Sequence, residues 1–64
     1  MPNHDHVHGT GHAKKEDGGL QAALENAWED AKNKGGPDGT YIVERIELDC
    51  ENPITSYTVI IVST

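Results

Sequence analysis

Residues 40–62, TYIVERIELDCENPITSYTVIIV, decide the fold class. Two runs rich in β-branched and aromatic residues flank Glu51-Asn52-Pro53, a polar turn segment, and that pattern predicts an antiparallel hairpin. In the first run Ile42, Ile46, Leu48 and Cys50 share one parity, while Tyr41 and Val43 share the other. Glu44 interrupts the first set. Either its carboxylate projects from an apolar face, or a bulge at Glu44-Arg45 exchanges the two faces. A bulge and exposure at a sheet edge are together favoured over a functional buried carboxylate, because an unpaired carboxylate is seldom found on a buried face. In the second run Tyr57, Val59 and Ile61 lie on one side and Ile60 and Val62 on the other, so the end of this strand is apolar on both faces.

Working outward, the segment before the hairpin reads as a helix. Leu20, Leu24, Ala27, Trp28 and Ala31 recur at helical spacing and predict an apolar stripe, widened by Ala22 and Ala23. Trp28 is placed in the core on this reading. Asp17 is the expected N-cap. Asp30 with Lys34, and Glu29 with Lys32, form solvated pairs on the polar side. Lys32 and Lys34 suit the negative end of the helix dipole, and Gly35-Gly36-Pro37 supplies a left-handed stop. Pro37-Asp38-Gly39 then has the chemistry of a turn.

Residues 1–19 contain almost no large apolar side chain and read as a flexible His/Gly-rich arm, leaving residues 20–64 as an αββ domain. A short strand from His4 to His8 is the alternative. The predicted class is therefore α+β, one helix packed on an antiparallel hairpin, with (β)αββ as the version that includes the early strand. One helix covers one face of two strands and leaves the other open. A chain of 64 residues buries only about 60% of the surface its unfolded form exposes. Cys50 is the only cysteine, so no disulfide staples one copy. Another copy of the chain is the expected cover, which predicts a homo-oligomer.

Composition narrows the function. The net charge is −6, which disfavours nucleic acid as a partner. There is no apolar run of the ~20 residues a membrane crossing needs, and no basic-then-apolar leader pattern. A cytoplasmic protein is expected. Cys50 lies between Asp49 and Glu51, which disfavour a thiolate. Ser56 and Ser63 have no histidine near them in sequence, and no glycine-rich phosphate loop opens a helix. A non-enzymatic protein follows.

All four histidines lie within residues 4–12. In an extended chain His4, His6 and His8 point to one side, with His12 and Asp5 close by in sequence, a donor set suited to zinc, nickel or copper. This gives one alternative function, a metal-binding protein. A structural or interaction module is another.

The stretch from Ala23 to Val62 resembles dodecins, small flavin-binding proteins, through Ala27-Trp28-Glu29-Asp30-Ala31, Tyr41-Ile42-Val43-Glu44-Arg45-Ile46 and Ser56-Tyr57-Thr58-Val59. The resemblance implies a strand, a helix and two further strands, assembled from many copies. It also implies a ligand site at Tyr41 and Thr58. These stand where that family has a flavin-stacking tryptophan and a flavin-contacting glutamine. A self-assembling module that takes a flavin or another planar ligand is the function it points to.

Overall fold

A computed structural model describes residues 6–51 and 53–64. Strand β1 (His8–Lys14) leads through a single 3-10 turn (Lys15–Asp17) into helix α1 (Gly19–Asn33), followed by β2 (Tyr41–Cys50) and β3 (Ile54–Ser63). The hairpin forms as its sequence predicts. The third strand is β1, which pairs antiparallel with β3 and places β3 in the centre, in the order β1-β3-β2. The fold is α+β, with the helix on one face of the sheet.

β1 differs from the expected early strand. It begins where that stretch would end, and from His8 onward the presumed arm is a paired strand. His4 lies outside the described residues. Along β1 burial alternates, with Gly9, Gly11 and Ala13 under the helix and His8, Thr10, His12 and Lys14 on the opposite face. The reason is close approach. A Cβ at Gly11 would overlap the Ala23 carbonyl oxygen and the Ala27 nitrogen, and one at Gly9 would overlap the Ala27 oxygen. Each would lie well inside 3.0 Å, a separation that real Cβ atoms essentially never show. Only glycine lets the strand and helix backbones meet this tightly.

That seam sets the rotation of α1. Ala23, Ala27 and Ala31 are fully buried against β1 and β3, while Leu24 and Trp28 are half-buried and Leu20 is exposed. The apolar stripe predicted through Leu20, Leu24 and Trp28 is therefore turned. The alanines form its centre and the large side chains run along its flank. Beneath the alanines, Val59 and Ile61 of β3 complete the core.

The helix ends as predicted. Gly35 takes φ 84°, its N–H donates to the Lys32 carbonyl and the Gly36 N–H donates to the Ala31 carbonyl, which together close a Schellman motif. The start is different. Asp17 sits in the 3-10 turn, and the N-cap is Gly18 at φ 104° with no side-chain cap. A positive φ at this corner selects glycine over aspartate.

Candidate functional site

The helix packs chiefly over β1 and β3, and reaches β2 at its end, where Trp28 meets Tyr41. On its face of the sheet the register aligns Tyr41, Val43, Ile46 and Leu48 of β2 with Ser63, Ile61, Val59 and Tyr57 of β3. The shift between Val43 and Arg45 is the bulge at Glu44, and it brings onto one face residues of opposite sequence parity. Beyond Tyr41 no side chain of β2 is buried. Val43 is 45% exposed, Ile46 46% and Leu48 50%. With Leu20 and half-buried Leu24 of α1 they form an apolar ledge beside the helix.

Tyr41 closes one end of this ledge. Its hydroxyl donates to the Pro37 carbonyl at 2.7 Å, and its ring meets Trp28 edge-on, with centroids 5.1 Å apart. Lys32 lies over the Trp28 ring at 5.6 Å. The Schellman glycine contributes here, since a Cβ at Gly36 would meet the Tyr41 hydroxyl at 2.5 Å.

The two outer edges of the sheet are treated differently. On β1, Asp30 Oδ2 accepts the Thr10 N–H at 2.9 Å, Asn26 Nδ2 donates to the His12 carbonyl at 3.0 Å, and Lys34 Nζ donates to the His8 carbonyl at 3.4 Å. These side chains, spaced four apart on α1, occupy three of the strand's outward-facing backbone groups. The Thr10 N–H, and after it Lys34 at 3.0 Å, hold the Asp30 carboxyl below the usual carboxylate range. On β2 the outward groups include those of Ile46 and Leu48. Ser63 donates its N–H to Val7 on the β1 side, so by alternation Thr58 and Ile60 bond toward Glu47 and Arg45 of β2. Among the described residues no side chain bonds to the outer backbone of Ile46 or Leu48.

Tyr41 and Thr58 do not form one site within a chain. Tyr41 pairs with Ser63 on the helix face, whereas Thr58 lies between His12 and Glu47 on the opposite face, where its hydroxyl contacts His12 Nδ1 at 3.0 Å. The sheet separates them. A flavin held between these two residues of one copy does not fit.

The histidines are likewise spread out. His6 Nδ1 donates to the Ser63 carbonyl at 3.0 Å, and His8 Nε2 lies 3.6 Å from Glu44 Oε2 across β3. His8 and His12 share a face, but four residues of strand put them roughly 13 Å apart, too far to share an ion. Among the described residues no group of three potential ligands converges on a metal position. His4 and Asp5 lie outside those residues.

No family model, curated protein or solved structure matches the chain. No helix among the described residues is long and apolar enough to cross a membrane. The groups that sequence reasoning missed are Gly9, Gly11, Asn26 and the second bond of Asp30. Their signal was an alternation, Gly-x-Gly-x-Ala, facing alanines spaced by four.

Proposed function

We propose that this chain is a self-assembling, non-enzymatic binding module of dodecin-like build. One observation carries the reading: the helix covers two strands of three, and the third presents Val43, Ile46 and Leu48 to solvent beside Leu20 and Leu24. Among the described residues Val59 is the only large, fully buried side chain, a thin core for an independent domain. Burying the ledge against other copies adds roughly 25 cal/mol for each Å² of apolar surface removed from water. The strand, helix, strand, strand order is also the order that the resemblance implies.

The ligand class that suits this face is planar and apolar, a flavin or another fused ring, resting on the ledge next to Tyr41 and Trp28. Size-exclusion chromatography with light scattering tests assembly, with a mass of several chains expected. A riboflavin fluorescence titration tests the ligand. Quenching that weakens in Tyr41→Ala supports it, and unchanged fluorescence with an assembled protein removes the ligand while leaving the assembly.

A further inference from the structure

We infer that the outer edge of β2 receives β2 of a second copy, antiparallel and centred on Ile46. The inference rests on the self-assembly proposed above and names the contact that builds it.

Exposed apolar side chains alone say little about what covers them, but the two edges and the charges together specify an occupant. The β1 edge is partly occupied, since Asp30, Asn26 and Lys34 take the Thr10 N–H and the His12 and His8 carbonyls, three groups an incoming strand would need. On β2, a strand of ten residues, the outward amides and carbonyls include those of Ile46 and Leu48, which among the described residues have no side-chain partner, and whose own side chains are about half exposed. A partner for this edge must be a strand, and it must carry apolar side chains on the helix face.

Charge selects the strand and its register. On the face away from the helix, Arg45 and Glu47 flank Ile46, with Nε and Oε2 3.4 Å apart along the strand. A two-fold axis through Ile46, perpendicular to the sheet, sets Arg45 of each copy directly opposite Glu47 of the other. Directly opposed unlike charges stabilise antiparallel pairs, and like charges destabilise them. Neighbouring registers fail this criterion. Centring on Arg45 opposes it to itself, centring on Glu47 does the same for glutamate, and centring on Leu48 opposes Glu47 to Asp49. The sequence around Ile46 is self-complementary in one register.

The pairing would complete a site that one copy lacks. Two three-stranded sheets would continue into one, with both helices on the same face. With strands about 4.8 Å apart, the helix axes fall roughly 19 Å from each other. Subtracting a helix diameter of about 10 Å leaves a channel roughly 9 Å wide. Val43, Ile46 and Leu48 of both copies make its floor, a place for the planar ligand proposed above.

The test uses Arg45→Glu and Glu47→Arg, made separately in the full chain. Each variant faces like charges across the two-fold, and each also breaks the pair within its own strand. Sedimentation velocity should show each alone associating on the order of tenfold more weakly than wild type. An equimolar mixture should return to wild-type association. There the glutamate introduced in one chain faces the arginine introduced in the other, while neither chain regains its internal pair. If the mixture stays as weak as its components while wild type assembles, the β2 contact is overturned and assembly stands. If wild type has the mass of one chain at every concentration, assembly itself falls. Circular dichroism checks that both variants are folded. A second pair of variants reads the register without relying on charge. In a Cys50→Ser background, Ile46→Cys should form a covalent dimer under mild oxidation, since directly opposed strand residues have Cα atoms about 5.5 Å apart. Leu48→Cys should not. The reverse result overturns the register.

Discussion

β1 and β2 flank the same central strand and face the same helix, yet they are built on opposite principles. β1 carries glycine and alanine where it meets α1, and its outer backbone is bonded by side chains from that helix. β2 carries valine, isoleucine and leucine on the same face, and among the described residues they are left about half exposed. Bulk is absent where the chain is most tightly packed and present where it is open. Large apolar side chains therefore mark the surface left exposed here, while the seam between strand and helix is marked by small residues. Dispersion between closely approaching backbones, with little side-chain entropy to lose, holds that seam.

The largest effect should come from breaking the seam. Gly11→Val places a side chain where backbone atoms of Ala23 and Ala27 already lie, and backbone cannot move aside as a side-chain tip can. A cost of about 3 kcal/mol or more is expected. That is comparable to the whole stability of a domain this small, at ~0.05–0.15 kcal/mol per residue. Loss of the far-UV helical signal at room temperature would show it, and a native-like melt would contradict the close approach. The matching change on β2 should do the reverse. Leu48→Lys should leave the fold of one copy intact, because Leu48 is half exposed in it, and should weaken association by roughly tenfold or more. Equal loss of monomer stability would mean that the ledge is buried within the chain.

Smaller changes sharpen the difference between the edges. Asn26→Ala leaves the outward His12 carbonyl to water, and a loss of about 1 kcal/mol in a urea melt is expected. The smallest effect belongs to Asp30→Asn. Asp30 is held below its ordinary pKa, so its contribution is complete above the unfolded value of about 4 and fades as pH falls through the lower folded value. The wild-type melting temperature should drop more than that of Asp30→Asn in that acidic window. Parallel acid profiles would remove the role given to the Thr10 and Lys34 contacts.

Much of the fold was legible from residue pattern. The hairpin, the helix, the glycine stop and the bulge at Glu44 each carry a local signal that tertiary packing did not override. β1 was not legible as a strand, because hydropathy is silent on glycine and the same residues serve a flexible arm equally well. Its meaning depends on Ala23, Ala27 and Ala31, which lie in another element. The rotation of α1 is hidden for the same reason, since Leu20 and Trp28 outweigh alanine on any hydropathy scale. Of the candidate site, Tyr41 was correctly set apart from Ile42, but its separation from Thr58 depends on register across three strands. Of the four histidines His4 lies outside the described residues, and a strand starting at His8 spreads His8 and His12 along one face.

Residue-resolved amide hydrogen exchange at several protein concentrations tests the central claim most directly. The account predicts that the Ile46 N–H, which faces outward on β2, becomes protected as concentration rises. The Thr10 N–H, already bonded to Asp30, should remain protected throughout. An Ile46 amide that exchanges freely at every concentration would contradict the account, whether the protein is a lone chain or assembles through some other surface.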